Sequence, residues 1–395
     1  MQTEPQHILT INGGSSSLKF SVYTNAGSPE LKLKGSIERI GQSDSILHFT
    51  DDSKQEQRLS VQTSNMEEAG NVLTGWLKKR KDIQPIISIG HRIVHGMEHT
   101  KAEPISDALI KELQQISAYD PDHLPAEIGL INTFRDKFPG LIQFACFDTS
   151  FHTSLPRVAR LLPIPRRFDR KGIRRYGFHG LSYSFLMEEL IRSEEPAAAN
   201  GRIILAHLGN GASLAAVLAG RCIDTSMGFT PTGGCMMGTR PGDLDPGIMT
   251  YIMKNESLNE EQFNGLVNHE CGLLGVSETS SDMQDLLKNE NKDIRAAEAV
   301  TLFCYNVKKW IGSFTAVLNG LDVLVFSGGI GEHASPVRSR ICQGLEFLGV
   351  ELDEKKNEKS DRIISSGNSR VLVCVIPTNE ELMIAKTVCE LLSRK

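Results

Sequence analysis

Small and hydroxyl-bearing residues separate two apolar segments near the N-terminus, where residues 8–23 read ILTINGGSSSLKFSVY. The apolar flanks predict a β-hairpin, and its turn carries glycines, serines and Lys19. Glycine lets backbone N–H groups approach a ligand closely, and successive N–H groups in a tight turn form a concavity that holds anions. The segment therefore predicts a phosphate-binding hairpin, although its spacing differs from the GxxxxGKS/T of a P-loop.

A second glycine-rich segment lies half a chain away, where residues 202–217 read RIILAHLGNGASLAAV. When Ser17 is aligned with Ser213, the two segments are offset by 196 residues in a chain of 395. Each half thus carries a strand, a small-residue turn and a returning strand, which is the pattern of an internal duplication. Two unrelated hairpins would give the same spacing, so the spacing alone leaves both explanations open.

The segment IISIGHRIVHG, at residues 86–96, carries a basic residue close to an apolar one. His91, His95 and His99 recur every fourth residue, which on a helix would form a metal-binding face. Two glycines and a β-branched run favour a strand instead, so we expect the histidines to be structural. Arg92 and Val94 would form a surface that is partly basic and partly apolar. Such a surface suits a small carboxylate with a short alkyl tail. A surface ion pair is the alternative for Arg92.

Two carboxylates stand at positions that suit a divalent cation. Asp148 comes directly after an apolar strand, at the kind of strand end where open α/β sheets place ligand groups. It could hold Mg²⁺ directly or through water, or it could cap the next turn. In PTNEE, before the last predicted helix, Thr378 and Glu381 have the spacing of a capping box. That pairing leaves Glu380 as the candidate metal ligand.

Three further segments have glycine-rich surroundings that suit anion or nucleotide chemistry. In YGFHG, His179 lies between two glycines and next to an aromatic residue. It could donate a hydrogen bond to an anionic transition state. Arg240 is the lone basic residue of a long glycine-rich loop at residues 224–247, which makes it a candidate anion ligand. The turn in VFSGGIGE, at residues 325–332, would let a flat ligand such as adenine lie against the backbone.

The elements that must position these groups alternate as in α/β proteins. Apolar runs predict buried strands at residues 84–89, 141–147 and 323–326. Helical periodicity predicts helices at residues 106–116, 126–134, 296–318 and 382–392. Residues 194–201, EEPAAANG, are typical of a surface connection and are expected to join the two halves.

Composition and charge narrow the function classes. Of the 395 residues, 40% are hydrophobic and 23% are charged, with a formal net charge of −5. This balance argues against general nucleic-acid binding. The basic run at residues 166–175 could still form a local nucleic-acid-binding patch. The eight cysteines are scattered without a C-x-x-C pair, which favours free thiols in a reducing cytoplasm. Without a secretory leader or a bilayer-length apolar run, we expect a cytoplasmic protein with no membrane contact.

Motifs spread over nearly the whole chain resemble those of the acetate kinase family. They are NGGSSSLKF, GHRIVHG, FDTSFH, RRYGFHGLSY, HLGNGASLAAV, DTSMGFTP with MMGTR and GDLDPG, GLLGVS with SSDM, SGGIGE and PTNEELMIA. The family is grouped with sugar kinases, Hsp70 and actin. The resemblance therefore implies two duplicated actin-like (ribonuclease H-like) α/β domains, with nucleotide and substrate in the interdomain cleft. We expect an N-terminal domain at residues 1–150 plus 383–395 and a C-terminal domain at residues 151–382.

The resemblance implies the reaction ATP + acetate ⇌ ADP + acetyl phosphate by direct in-line transfer. It also implies Mg²⁺, with Mn²⁺ as an alternative, and a homodimer. Sister enzymes that prefer propionate or butyrate remain open, because one CH₂ changes binding by only about 1–3 kcal/mol. A non-catalytic nucleotide switch or filament protein of the same fold is an alternative of another class. A sugar kinase would need a catalytic base for a hydroxyl, whereas the matched loops offer arginines.

The resemblance further implies roles for individual residues. The catalytic residues would be Arg92, Asp148, His179 and Arg240. The substrate-binding residues would be Arg92, Val94, His123, Phe178 and Pro231. The nucleotide-binding residues would be Ser15, Ser17, Lys19, His207, Asn210, Gly211, Asp282 and Gly331. The metal-associated residues would be Asn12, Asp148 and Glu380.

Three positions depart from the family pattern. Asp122, in DPDHL, replaces a leucine that helps to line the acyl pocket. If Asp122 faced the pocket it would repel a carboxylate and favour a more polar substrate, and an outward orientation is the simpler alternative. Met97 and the Thr-Gly-Gly at residues 232–234 also differ. These departures bear on substrate preference more than on reaction type.

Overall fold

The computed structural model describes residues 6–14, 16–193 and 197–394. The strands, in chain order, are β1 (His7–Gly13), β2 (Ser17–Thr24), β3 (Leu31–Glu38), β4 (Ile46–Thr50), β5 (Glu56–Ser60), β6 (Ile86–Ile93), β7 (Glu103–Pro104), β8 (Ile142–Phe147), β9 (Arg202–Leu208), β10 (Ala212–Leu218), β11 (Arg221–Thr225), β12 (Val323–Ser327) and β13 (Leu372–Val375). The α-helices are α1 (Met66–Leu77), α2 (Asp107–Ile116), α3 (Leu124–Lys137), α4 (Arg157–Arg160), α5 (Arg166–Asp169), α6 (Gly180–Arg192), α7 (Ala197–Asn200), α8 (Pro246–Asn255), α9 (Glu260–His269), α10 (Gly272–Ser277), α11 (Met283–Asn289), α12 (Ile294–Val317), α13 (Gly328–His333), α14 (Ser335–Cys342), α15 (Glu354–Glu358) and α16 (Glu380–Ser393). Short 3-10 turns lie at Lys81–Ile83, Ser117–Tyr119, Ser150–Ser154 and Glu346–Leu348.

The chain divides into two compact units. Unit 1 comprises Met1–Ser150 with Asn379–Lys395, and unit 2 comprises Phe151–Thr378. The chain re-enters unit 1 at Asn379 rather than at the expected residue 383, because α16 packs along β1 and β6 from its first turn. The segment at residues 194–201 therefore lies within unit 2 and does not join the units. Residues 194–196 are outside the described residues, and the rest of the segment begins with α7.

Unit 1 is built on a sheet with the strand order β5-β4-β3-β2-β1-β6-β8-β7. The first strands form an antiparallel meander, and β6 and β8 then continue the sheet parallel to β1. One face packs on α1 and α3 through a core that includes Leu9, Phe20 and Phe134. The other face of β6 carries α16 so closely that a Cβ on Gly90 would overlap the side chain of Ile384. Glycine at this position therefore allows α16, the helix that carries Glu380, to pack directly against β6.

Unit 2 is built on a sheet with the strand order β11-β10-β9-β12-β13. Here β9, β10 and β11 form the antiparallel meander, and β12 and β13 continue the sheet parallel to β9. The long helix α12 buries a stripe that includes Val300, Val307 and Phe314, at helical spacing. The chain reverses direction after this helix at Gly320, which adopts φ +129°. The Gly320 N–H donates to the Thr315 carbonyl.

The same strand order recurs in the two units. In each, the third, second and first strands form the meander, and two parallel strands follow on the other side of the first: β3-β2-β1-β6-β8 in unit 1 and β11-β10-β9-β12-β13 in unit 2. The internal duplication expected from the two hairpins is thus confirmed in topology, and the explanation by unrelated hairpins is wrong. The predicted α/β class with two ribonuclease H-like sheets is confirmed as well.

Local predictions differ in how well they hold. The predicted strands and long helices all occur, with ends shifted by a few residues. One predicted helix start is wrong. Asn379, rather than Thr378, caps α16 by accepting the Leu382 N–H at 3.0 Å. The glycine-rich segment after β12 is helical, since Gly328, at φ +76°, begins α13.

Candidate active site

Three neighbouring strands of unit 1 end in polar side chains at one edge of the sheet. Asn12 lies near the end of β1, Arg92 near the end of β6, and Asp148 directly after β8. Arg92 donates from Nε and Nη2 to Asp148 Oδ2, at 3.0 and 2.6 Å. It also donates from Nη1 to Asn12 Oδ1, at 3.2 Å. The parallel order of β1, β6 and β8 thus brings three of the predicted residues together.

Arg92 and Asp148 form a buried ion pair rather than a surface pair. Asp148 is fully buried, and the Arg92 side chain is 14% exposed. Burial by itself would lower the pKa of Arg92, but the charges of Asp148 and Glu380 outweigh it and hold that pKa above its ordinary value. The guanidinium is therefore a fixed cation whose plane is set by two hydrogen bonds to one carboxylate.

The first turn of α16 adds two carboxylates to this cluster. Asn12 Nδ2 donates to Glu380 Oε2 at 2.9 Å and to Glu381 Oε1 at 3.1 Å. Glu380 was predicted, whereas Glu381 was missed because it was assigned to a capping box with Thr378. Asn379 performs that capping, so the side chain of Glu381 is available to Asn12. Two consecutive acidic residues at a helix N-terminus were the signal in the sequence.

A buried carboxylate beside this cluster was also missed. Both carboxylate oxygens of Glu127, on α3, accept the backbone N–H of Val94, at 3.2 and 3.1 Å. Burial and the charge of Asp120 raise the pKa of Glu127 well above its usual range, while Arg92 opposes the shift. Glu127 therefore fixes the backbone just after β6, where the predicted acyl-pocket residue Val94 lies.

The three histidines near β6 have separate structural partners. His91 Nε2 lies 2.7 Å from Gln143 Oε1, and burial lowers the pKa of His91 to about 4. His95 Nδ1 accepts a backbone N–H at 3.2 Å. His99 bridges two glutamates at 2.6 and 3.1 Å. Among the residues that the structure describes, no group of three or more His, Cys, Asp or Glu is arranged to hold a metal ion. Each of the three histidines thus has a hydrogen-bond partner of its own, which is what a structural role requires, and that role stays a prediction.

The predicted substrate residue His123 lies at the start of α3. Its Nδ1 is 2.8 Å from Oδ1 of the buried Asp120, so its immediate partner is a carboxylate of its own segment. Asp122, the residue that departs from the family pattern, is half-buried.

His179 anchors the candidate site of unit 2. It adopts a left-handed backbone, at φ +59°, immediately before α6. Its Nδ1 lies 2.9 Å from Ser213 Oγ, which in turn lies 2.5 Å from the Tyr183 phenol oxygen. Neither Ser213 nor Tyr183 was predicted, because the contact joins β10 to α6 across thirty or more residues of chain. A non-glycine residue with positive φ is uncommon and often marks a functional site.

Arg240 and His179 converge on the second hairpin at Gly211. A Cβ built on Gly211 would lie 2.9 Å from Arg240 Nη2 and 3.2 Å from His179 Nε2. Arg240 Nη1 donates to the backbone carbonyl of the buried Pro231, at 2.6 Å, which fixes its guanidinium. The structure thus brings four predicted residues together around a space that only glycine leaves open.

His207 stands next to His179. The two imidazole rings are 4.3 Å apart between centroids and inclined by 33°. His207 Nδ1 lies 2.8 Å from Ser182 Oγ, and Ser182 Oγ accepts the hydroxyl of Thr378, also at 2.8 Å. Thr378, whose predicted capping role is wrong, therefore serves this network instead.

Unit 2 also contains a cavity of about 650 Å³ beside the second hairpin. Asn210 and Asp282, both predicted nucleotide residues, line it together with Gly329, Ile330 and Pro336 from α13 and α14. The Asp282 carboxylate also caps α11 by accepting the Gln284 N–H at 2.7 Å. Gly331 is a buried residue of α13, and its carbonyl accepts a hydrogen bond from Arg338 at 2.9 Å.

The first predicted phosphate hairpin is only partly described, because Ser15 lies outside the described residues. Ser17 is half-buried, and its carbonyl accepts the Gly14 N–H at 2.7 Å. Lys19 is exposed and lines a polar cavity of about 580 Å³ in unit 1, to which Glu381 also contributes.

The basic run and the aromatic neighbour of His179 have internal partners. Arg175 Nη1 donates to the carbonyls of three consecutive residues, 225–227, at 2.9 to 3.1 Å.

His152 Nε2 donates to the carbonyl of Phe178 at 2.9 Å, and Phe178 itself is buried. Burial lowers the pKa of His152 to about 4, so this histidine is a neutral support for the residue before His179.

The chain is similar to known proteins over almost its whole length. The model of the acetokinase family matches residues 7–386. The chain belongs to the acetokinase family. Over 392 residues it is 42% identical to the acetate kinase of Staphylococcus aureus (strain Mu3 / ATCC 700698), covering 96% of this chain and 97% of that one.

Two solved structures are similar over almost their full lengths. The acetate kinase of Porphyromonas gingivalis has a TM-score of 0.86 at 34% identity and covers 98% of this chain and 100% of its own. A propionate kinase of Francisella tularensis subsp. tularensis SCHU S4 has a TM-score of 0.90 at 35% identity, covering 97% and 98%. The acetokinase is therefore a phosphotransferase of the acetate kinase type, with a carboxyl group as acceptor. Within the described part of the chain, none of the helices is long and apolar enough to cross a membrane.

Proposed function

We propose that this acetokinase transfers the γ-phosphoryl group of ATP to acetate, reversibly and in line, to give acetyl phosphate and ADP. Carboxyl groups have pKa values of about 4, so acetate is already an anionic nucleophile at neutral pH and needs no general base. The reaction instead requires alignment and neutralisation of the charge on the phosphoryl oxygens. Both units supply side chains that could align the reactants and neutralise this charge.

Unit 1 supplies a fixed cation for the acceptor side. Asp148 and Asn12 orient Arg92 through three hydrogen bonds of 2.6 to 3.2 Å. An arginine held this way loses little freedom when it binds a carboxylate or phosphoryl oxygen. Val94, held by Glu127, would contact the methyl group of acetate.

The observation that carries the proposal is the convergence of Arg240 and His179 on Gly211 in unit 2. A guanidinium and an imidazole thereby face the exposed backbone of a glycine hairpin, which is an arrangement of donors for phosphoryl oxygens. The neighbouring cavity, lined by Asn210 and Asp282, would hold the nucleoside of ATP.

Magnesium fits the carboxylate cluster of unit 1. Glu380 and Glu381 present carboxylate oxygens, which Mg²⁺ prefers, and Mn²⁺ accepts the same set. Asn12 turns Nδ2 toward these carboxylates while its Oδ1 accepts from Arg92, so its own association with the metal stays a prediction. Mg²⁺ commonly uses one or two carboxylates with waters and phosphate oxygens, so a cage of three acidic or histidine side chains is not required. When bound, the ion would offset negative charge on the ATP phosphates. Asp148 accepts both hydrogen bonds of Arg92 on Oδ2, and its predicted association with the metal stays a prediction.

The direct test is acyl phosphate formation with ATP, Mg²⁺ and a panel of short carboxylic acids, trapped as hydroxamates. Arg92→Ala and Arg240→Ala should each lower turnover by roughly 10²-fold or more while ATP still binds. Arg192→Ala is the matched control, because Arg192 is exposed and its ion pair is with Glu189 of the same helix. Full activity in both Arg92→Ala and Arg240→Ala would overturn the proposed roles, whereas a wild-type protein that forms no acyl phosphate with any of the acids would favour a non-catalytic nucleotide switch.

Propionate is the second candidate acceptor. The observation in its favour is the similarity to the Francisella propionate kinase, which is as close in identity as the Porphyromonas acetate kinase. Comparing kcat/KM for acetate, propionate and butyrate decides between them. A large advantage for propionate would replace acetate as the proposed substrate.

We also propose that the protein works as a homodimer in the cytoplasm. Helices α8 and α9 bury no side chains in the described chain, and α8 exposes Ile248, Met249 and Tyr251. Such an apolar face suits contact with a second copy. All eight cysteines are free thiols, as expected in a reducing compartment. Light scattering of the protein and of Tyr251→Glu tests the dimer, and cell fractionation tests the compartment.

A further inference from the structure

Tyr183, Ser213 and His179 form a short hydrogen-bonded chain within unit 2. Tyr183 and Ser213 are completely buried. The Tyr183 phenol oxygen lies 2.5 Å from Ser213 Oγ, and Ser213 Oγ lies 2.9 Å from His179 Nδ1. A serine hydroxyl carries a single proton, so Ser213 can donate to only one of these two neighbours.

The relative acidities of the groups decide the direction of donation. A phenol is more acidic than an aliphatic hydroxyl, so it is the better donor, and Tyr183 donates to Ser213. Ser213 then donates its own proton to His179 Nδ1, which must be the unprotonated nitrogen of a neutral imidazole. We infer that Tyr183 and Ser213 are positioning residues that keep the proton of His179 on Nε2.

A second series of hydrogen bonds, arranged in the same way, ends at His207. The Thr378 hydroxyl donates to Ser182 Oγ at 2.8 Å, and Ser182 Oγ lies 2.8 Å from His207 Nδ1. Having accepted from Thr378, Ser182 has its own proton to give to Nδ1. Each of the two neighbouring histidines is therefore held on Nδ1 by a serine hydroxyl that is itself bonded to a second hydroxyl, and both carry the proton on Nε2.

The tautomer matters because of where Nε2 lies. His179 Nε2 and Arg240 Nη2 both face the open side of Gly211. A proton on Nε2 makes His179 a donor toward the same space that Arg240 lines, whereas a proton on Nδ1 would present a lone pair there and repel an anion. This inference rests on the proposed phosphoryl transfer for its purpose, but the tautomer itself is independent of activity.

The test combines nitrogen NMR with kinetics on the full-length protein. Histidine labelled with ¹⁵N reports, through long-range ¹H–¹⁵N correlations, which ring nitrogen carries the proton, and His179→Gln assigns the signal. Tyr183→Phe and Ser213→Ala each break the chain while keeping most of the side-chain volume. Tyr176→Phe is the matched control, because Tyr176 is also buried but donates to the Gly172 carbonyl, at 2.9 Å.

We expect Nε2 protonation of His179 in the wild type and in Tyr176→Phe, and a mixture of tautomers in Tyr183→Phe and Ser213→Ala. In these two variants kcat should fall roughly three- to tenfold, as expected for one lost hydrogen bond, with KM for ATP and acetate nearly unchanged. A wild-type proton on Nδ1, or an unchanged His179 signal in both variants, would overturn the inference. An inactive wild type with Nε2 protonation would instead refute the proposed function and leave the inference standing.

Discussion

Replacing Gly211 with alanine tests whether Arg240 and His179 act together on the space above the second hairpin. The added Cβ would lie 2.9 Å from Arg240 Nη2 and 3.2 Å from His179 Nε2, whereas ordinary contacts of a Cβ begin at 3.4 Å. The guanidinium would therefore have to move by about 0.5 Å or more, and the imidazole by less. Nη2 is the far end of a flexible side chain, so the movement costs little stability.

The expected result is a loss of activity without a loss of fold. A displacement approaching 1 Å of a group that aligns the reactants can cost about 10²-fold, so we expect kcat to fall roughly 10- to 100-fold. The free energy of unfolding should change by less than about 1 kcal/mol, because no buried partner is removed. Steady-state kinetics with acetate and ATP measure the first quantity, and urea unfolding measures the second.

Gly228→Ala is the matched control for this experiment. Gly228 lies in the same unit, and a Cβ built there meets no atom within 4 Å. It should retain wild-type kinetics. Wild-type kinetics in Gly211→Ala would refute the convergence of Arg240 and His179 as the basis of the reaction, and an equal loss in both variants would show that the effect is not specific to that space.

The remaining predictions concern the carboxylates of unit 1 and two buried histidines. Asp148→Asn removes the carboxylate that pairs directly with the buried Arg92, so urea unfolding should show a loss of about 2–4 kcal/mol and kinetics a raised KM for acetate. Glu380→Gln should raise the Mg²⁺ concentration for half-maximal activity roughly tenfold or more, measured by titrating activity with Mg²⁺. The folded-state pKa values of His91 and His152 are lowered by burial from 6.5 to about 4. The unfolded chain therefore binds more protons between these values, and the free energy of unfolding should fall as pH drops from 6.5 to 4, by up to about 3 kcal/mol for each histidine.

Each of these predictions has an outcome that contradicts it. Unchanged stability in Asp148→Asn would mean that Arg92 relaxes into solvent, and Glu390→Gln serves as an exposed acidic control for the Mg²⁺ titration. If His91→Gln shows the same pH dependence of unfolding as the wild type, burial of His91 is not the cause of the acid destabilisation.

The elements around the site could be predicted from the sequence because their patterns are local. The apolar runs that became β6, β8 and β12 and the helical stripe of α12 need no knowledge of their partners. Asp148 could be placed at a strand end for the same reason, and Gly211 could be placed in a hairpin turn. The motif matches supplied the roles that we propose for Arg92, His179 and Arg240.

The residues that were missed are those whose partners lie far away in the chain. Glu381 meets Asn12 across 369 residues, and a local capping pattern pointed to another role for it. Tyr183 meets Ser213 only because α6 packs near β10. Glu127 is an acidic residue in a helix, and only burial against the Val94 backbone shows what it does. Sequence spacing carries no signal for such contacts.

By itself, the sequence determined the α/β class and the two glycine-rich hairpins, and its family motifs pointed to the cations and carboxylates proposed for phosphoryl transfer. The class and the hairpins follow from residue type and from periodicity along the chain, which are local properties. The tertiary structure alone decided that Asp148 orients Arg92, that Glu381 joins Asn12, and that Ser213, itself bonded to Tyr183, meets the Nδ1 side of His179. The physical reason is that hydrogen bonds depend on ångström-scale positions, which arise only when distant segments pack into one core.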